Sequence, residues 1–267
     1  MKSIISINEK FQTMEPKKLV SKIMESKYVK GIEVFVNPDN KYMMDYMDQL
    51  VTLCKENDLL FQVHGDSSLD LDKQIEYLNI IARYSDYLGY TVNVVMHSLT
   101  RDTTEEEVKD TQVYLHDLLE SIDLNKVRIS VENLNDADGI IRLDKQEMEP
   151  VLCNDERLYM TYDIGHEIAD YGNITDLNPL FISRISNVHI HTRTNYYQEG
   201  YDHKPIDDQQ DTFKDVLKGI LYLKHLDYNG PVVFEYDLLL CDGETTEERV
   251  DSYIKSVDDT SEHIFME

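Results

Sequence analysis

Short apolar runs alternate with amphipathic helical stretches from one end of the chain to the other. Residues 4–7 are followed by PKKLVSKIMESK, and residues 31–36 by KYMMDYMDQLVTLCKEN, in which Met43, Met47, Leu50, Val51 and Cys54 share one helical face. Residues 60–64 precede LDKQIEYLNIIARYSDYLG. Residues 92–97 precede TEEEVKDTQVYLHDLLESI, whose glutamate-rich first turn Thr103 or Thr104 can cap. Residues 127–133 lead into a weaker helix near 145–152, residues 158–163 into a broken segment around 177–185, and residues 187–191 into a long loop and then TFKDVLKGILYLKHL. Residues 232–236 precede ETTEERVDSYIKSVDD. Eight strand-then-helix units predict an α/β protein, a (β/α)8 TIM barrel with its helices outside. At 267 residues the length suits one such barrel, spanning 1–267 as a single domain. A doubly wound open sheet would want a Gly-rich phosphate turn after an early strand, and the chain has no GxGxxG or GxxxxGK[ST].

The apolar runs stop on groups that bind metals. FQVHG, NVVMHS, RISVEN, LYMTYDIGH, SNVHIH and VVFEY, with the loop after the seventh strand, bring in His64, His97, Glu132, Asp163, His166, His189, His203 and Glu235. In a TIM barrel these strand ends form the active-site mouth. Carboxylates driven into the mouth of an apolar core cost several kcal/mol each unless compensated, and one divalent cation offsets them together. Glu132, Asp163, His189 and Glu235 could converge from four strands as an O/O/N/O set suited to Mn²⁺, Zn²⁺, Co²⁺ or Mg²⁺. Asp163 and His166 share the turn leaving the sixth strand, and His191 lies on the same strand face as His189 and could replace it as ligand. His116, His225 and His263 fall on helices and are read as ordinary helix residues. The longest stretch without an element, 192–210, carries Arg193, Tyr196, Tyr197, Tyr201, Asp202, His203 and Lys204; it is read as a lid or substrate loop, with plain packing as the alternative.

Charge narrows the partners. The 52 acidic against 26 basic residues give a net charge of −26, which repels nucleic-acid phosphates and argues against nucleic acid or membrane as a partner. Three cysteines with no ligand spacing read as reduced thiols in an intracellular setting. MKSIISINEKF is too short in its apolar patch for a signal peptide, and no run reaches the ~18 apolar residues of a membrane span. The expectation is a soluble cytoplasmic protein.

In order, VHGDSSLDL, VVMHS, ISVENLN, YDIGH, ISNVHI, DHKPI and VVFEYD resemble the xylose isomerase-like barrel superfamily, over nearly the whole chain. That superfamily includes sugar phosphate isomerases and epimerases, tagatose-3-epimerase-like enzymes and the endonuclease IV group. The resemblance implies Glu132, Asp163, His189 and Glu235 as metal ligands, and the family's pattern of a hydrophobic residue then histidine favours His189 over His191. His166 matches the histidine that follows the aspartate ligand; His64, His97, His203 and Asp202 match the extra ligands of the endonuclease IV zinc cluster. Two departures stand out. Asp202 and His203 are adjacent instead of one residue apart, and Lys204-Pro205-Ile206 runs into Asp207-Asp208 where the family often carries a Gly-rich turn.

The function so implied is a metal-dependent isomerase or epimerase of a small sugar or sugar phosphate, an enzyme of carbohydrate metabolism. Glu132 and Glu235, on opposite sides of the substrate, would exchange protons at a carbon whose neighbouring oxygens the metal binds, while Arg193, Tyr197 and Lys204 orient the sugar. The alternative is an endonuclease IV-like zinc phosphoesterase acting on abasic DNA, which the charge opposes; a noncatalytic barrel would leave an unused cluster of buried acids. Barrels of this kind often pair, so a homo-oligomer is compatible with the chain.

Overall fold

The β-branched and aromatic runs become eight parallel strands: β1 (Lys2–Ile7), β2 (Val29–Phe35), β3 (Leu60–His64), β4 (Val92–Met96), β5 (Val127–Glu132), β6 (Tyr159–Asp163), β7 (Ile185–Ile190) and β8 (Pro231–Phe234). Each pairs with its successor and β8 returns to β1, so the sheet is a closed barrel. The helices are α1 (Pro16–Glu25), α2 (Lys41–Glu56), α3 (Leu71–Leu88), α4 (Glu105–Ser121), α5 (Lys145–Asn154), α6 (Ile164–Tyr171), α7 (Pro179–Ile182), α8 (Phe213–His225) and α9 (Thr246–Met266). This is the expected (β/α)8 architecture. The structure is a computed structural model and describes residues 1–65, 70–97, 105–134, 145–171, 177, 179–192, 203–206 and 213–266.

Local chemistry sets several boundaries. Asn40 accepts from the Met43 N–H to start α2, and Asp70 accepts from the Lys73 N–H to start α3, which stops at Gly89 with φ of 87°. The broken segment resolves into α7, a single turn, and the first residue of β7. α6 follows β6 directly, where the sequence suggested only a turn. Thr103 and Thr104, the expected cap of α4, lie outside the described residues.

The apolar core lies between sheet and helices, not inside the barrel. Ile5, Ile32, Val34, Phe61, Val63, Val94, Ile129, Val131, Tyr162, Val188 and Phe234 face outward into one cluster with the helices. The alternate strand residues point inward, and most are polar: Ser6, Glu33, Gln62, His64, Ser130, Glu132, Thr161, Asp163, Asn187 and His189 are all buried. Ile4, Val95 and Val233 supply buried apolar filling apart from the outer cluster. Strand registry fixes these parities, since Ser6 pairs with Glu33, Glu33 with Gln62, and Asp163 with His189.

Closure between β8 and β1 depends on α9. The Tyr253 hydroxyl accepts from the backbone N–H groups of Ser6 and Tyr236, each at 3.2 Å, and donates to the Phe234 carbonyl. Cys54, Cys153 and Cys241 are free thiols. No helix among the described residues is long and apolar enough to cross a membrane.

Candidate metal centre

Glu132, Asp163, His189 and Glu235 converge at the C-terminal mouth of the barrel, each offering one ligand atom within 4.8 Å of the others. His189 Nδ1 lies 3.0 Å from Glu132 Oε1, 3.1 Å from Glu235 Oε2 and 3.9 Å from Asp163 Oδ2. Alternation puts the first three on inward-facing positions of β5, β6 and β7, and Glu235 just beyond β8. Asp163 is also the residue before α6, and its Oδ1 accepts from the His166 backbone N–H at 2.7 Å, an N-cap bond. That bond fixes the carboxylate so that Oδ2, fully buried, faces the cluster with no hydrogen-bond donor among the described residues. Asn133 joins the two strand ends: its amide donates to the Asp163 carbonyl at 2.9 Å and its Oδ1 accepts from the Asp163 N–H at 2.8 Å.

Histidines surround this group. On one side Glu132 Oε2 lies 3.1 Å from His64 Nε2 and 3.2 Å from His97 Nε2, the two rings meeting edge to face. On the other side His166, His191 and His203 form a second cluster, with His191 stacked on His203 at 4.3 Å and its Nε2 3.3 Å from Asp163 Oδ1. His203 reaches Glu235 Oε2 at 3.5 Å from a left-handed backbone, φ 56°, rare outside glycine and asparagine. Its carbonyl accepts from the Asp237 N–H, and the next residue, Lys204, pairs with Thr192 across an antiparallel bridge.

Opposed charges dominate the electrostatics. Burial alone would raise Glu132 and Glu235, but the neighbouring histidines, His189 first, more than offset it and hold both carboxyls well below the usual range. For His189, desolvation is outweighed by Glu33, Glu132 and Glu235, which raise it well above its ordinary value. His64 is likewise raised to about 8 against its burial by Glu132, whereas desolvation wins at His97 and lowers it. Three carboxylates and one imidazole around one point, one of them presenting an orphaned oxygen, form a donor set that fits a divalent cation.

No protein-family model matches the chain, and no curated protein does. Solved structures do. D-allulose 3-epimerase from Methylomonas sp., in complex with D-allulose, superposes with a TM-score of 0.71 at 14% identity, covering 98% of this chain and 96% of that one. A xylose isomerase domain protein from Alicyclobacillus acidocaldarius gives 0.68 at 13% identity, with 99% of each chain covered. This chain shares the (β/α)8 barrel fold of these proteins. The IolI protein, in a structure with a bound zinc atom, gives 0.67 at 16% identity over 100% of both chains.

Within that barrel, the residues singled out from sequence divide into groups. Glu132, Asp163, His189 and Glu235 meet at one point, and His64, His97, His166 and His203 ring it. His189 is the histidine that meets the three carboxylates, whereas His191 lies in the second histidine cluster, with His166 and His203. Lys204 sits at the bridge that follows His203. Arg193, Tyr197 and Asp202 lie outside the described residues, as do most of the expected lid and Asp207-Asp208. Glu33, Gln62, Asn133 and Asn187 escaped the sequence reading although all are buried beside the centre. Glu33 and Gln62 sit in mid-strand between apolar neighbours, as GIEVF and LFQVH, and a polar residue in that setting was the available signal; Asn187 follows Ser186 in SNVHI and gave a weaker one.

Proposed function

We propose that this protein is a metal-dependent epimerase or isomerase of a small sugar, with Glu132, Asp163, His189 and Glu235 holding the cation. The carrying observation is the convergence of those four side chains within 4.8 Å at the mouth of the barrel. The fold match to proteins described as D-allulose 3-epimerase and xylose isomerase domain protein supports the same reading. When bound, a divalent cation supplies the Lewis acidity that makes a C–H next to its oxygen ligands removable.

The chain supplies the proton transfers. Glu132 and Glu235 lie 3.0 and 3.1 Å from His189 Nδ1, and in this reading, as the resemblance to the epimerases implies, they flank the substrate carbon with a carboxylate for each face. One removes the proton and the other returns one to the opposite face, which inverts the centre. Their surroundings differ. Glu132 is buried and held by His64 and His97, whereas Glu235 is 17% exposed and adjoins His203, itself 31% exposed and placed to pass a proton to solvent. The carboxylate-rich mouth favours a neutral sugar over a doubly charged phosphate, and Lys10, on the rim, is held at 2.7 Å by Asp237.

A second reading rests on two further ligand groups, His64 with Glu132 and His189, and His166 with His191 and His203. Several cations there would suit a phosphoesterase of the endonuclease IV type, against the −26 charge. Metal counting on purified protein with anomalous scattering separates the two. The epimerase reading expects one ion, lost in Glu132→Ala and Asp163→Ala with the fold retained; three ions with hydrolysis of abasic DNA would replace it, and stoichiometric metal in both variants would remove the site.

A further inference from the structure

Below the candidate ligands lies a carboxylate that the proton-transfer scheme does not use. Glu33, at mid-β2, is fully buried inside the barrel. Its Oε2 accepts from the Gln62 amide at 2.6 Å and from the Asn187 amide at 3.0 Å. His189 Nε2 lies 3.1 Å from Oε1 and 3.3 Å from Oε2. The two amides donate to this carboxylate and the Nε2 edge of His189 faces it, so Glu33 is a fixed acceptor directly beneath the ring whose Nδ1 faces Glu132, Glu235 and Asp163. An apolar side chain would fill this position at far lower desolvation cost, as in most barrel interiors.

We propose that Glu33 is the positioning residue that selects the metal-binding tautomer of His189. The inference rests on the site reading above. Neutral, as a metal ligand must be, the ring has two ways to place its single proton, and each has partners in the structure. With the proton on Nδ1, the ring donates to Glu132 and Glu235, Asn187 donates to Nε2 across 3.0 Å, and no lone pair remains for a cation. With the proton on Nε2, the ring donates down to Glu33, Asn187 turns its hydrogen to Glu33 Oε2, and the Nδ1 lone pair points at the three upper carboxylates. A carboxylate accepts an N–H more strongly than the amide nitrogen of Asn187 donates to a bare ring nitrogen, so Glu33 tips the choice toward the second arrangement. Gln62, paired in register with Glu33 across β2 and β3, and Asn187, two residues before His189 on β7, hold the carboxylate in place. The result is a carboxylate–histidine pair behind the ligand, of the kind that orients an imidazole and raises its basicity toward a metal.

The test compares wild type with Glu33→Gln and Glu33→Asp, the second covering the case in which the first does not fold. Circular dichroism establishes folding, Co²⁺ affinity is measured by calorimetry, and ring-¹⁵N-histidine NMR of the Zn²⁺-loaded protein reports the Nε2–H proton. We expect both variants to fold, Co²⁺ to bind roughly 10- to 100-fold more weakly, and the Nε2–H resonance of His189 to shift upfield or vanish into exchange. A merely structural Glu33 would leave that resonance and the affinity of the folded variants where they are. Wild-type affinity within about twofold, with an unmoved resonance, overturns the proposal while the site survives. Glu132→Ala in the same titration keeps the two failures apart: stoichiometric Co²⁺ in that variant would overturn the site reading and this inference with it.

Discussion

In the proposed reading, Glu235 is the residue on which the chemistry turns. Glu235→Gln keeps the volume and one coordinating oxygen while removing the exchangeable proton, so metal should stay and turnover should fall by roughly 10²- to 10⁴-fold, read by loaded-enzyme kinetics beside metal analysis. Loss of metal instead would make Glu235 a ligand first. The histidines give a pH signature in the metal-free protein. His64 is raised from 6.5 to about 8, so it contributes stability on the order of 2 kcal/mol that is complete below pH 6.5 and lost as pH rises through about 8. His189, also raised by its carboxylates, adds a loss of the same sign as pH rises. Glu132 and Glu235, both depressed, contribute above the ordinary carboxyl value and lose it only as pH falls through their lowered values. His97, lowered by desolvation, acts oppositely, with stability rising toward pH 6.5. Melting of the metal-free protein should therefore decline from pH 6.5 to 9, while stabilisation by added Co²⁺ grows over the same range as metal displaces protons. A flat melting profile would contradict the charge arrangement around His64. At this scale the convergent cluster of Glu132, Asp163, His189 and Glu235 was legible because apolar runs end on it. Glu33 was not, because inside GIEVF it reads as one polar residue of a strand, and its meaning appears only when β2, β3 and β7 close around it. The stack of His191 on His203 was equally out of reach, since it needs the left-handed backbone of His203 and the Thr192–Lys204 bridge.

The strands and their order were readable from period and length, because β-branched alternation and helical stripes differ along the whole chain. What the pattern could not give was how the elements are pinned. α6 starts without a connecting loop because one carboxylate, Asp163, serves as its cap and faces the cluster at once, and a sequence shows only an aspartate at a strand end. The β8–β1 seam is pinned by Tyr253 of α9, whose hydroxyl serves three backbone groups buried at the closure. Tyr253→Phe leaves the ring packing and orphans two N–H groups. It should cost about 1–3 kcal/mol, measured by chemical denaturation, and lower metal affinity less than any ligand substitution does. An unchanged midpoint would show that water satisfies the seam without the hydroxyl.

For the whole molecule, the barrel interior explains why this fold tolerates its charge. Polar residues occupy the inward positions of nearly every strand and the apolar core lies outside them, with Glu132, Asp163 and Glu235 meeting at the mouth, which in the proposed reading suits neutral polyols better than polyphosphates. The net charge points the same way, since −26 opposes the long-range approach of a duplex. The central claim is proton transfer at a sugar carbon between Glu132 and Glu235 in a metal-loaded mouth. Its most direct test is NMR of the Co²⁺- or Mn²⁺-loaded protein in D₂O with a panel of free ketohexoses and ketopentoses. The account predicts that an epimer or isomer forms with solvent deuterium at the reacting carbon, and that both product and label are lost in Glu235→Gln. No sugar turned over by the loaded protein, together with hydrolysis of an abasic-site phosphodiester, would contradict it.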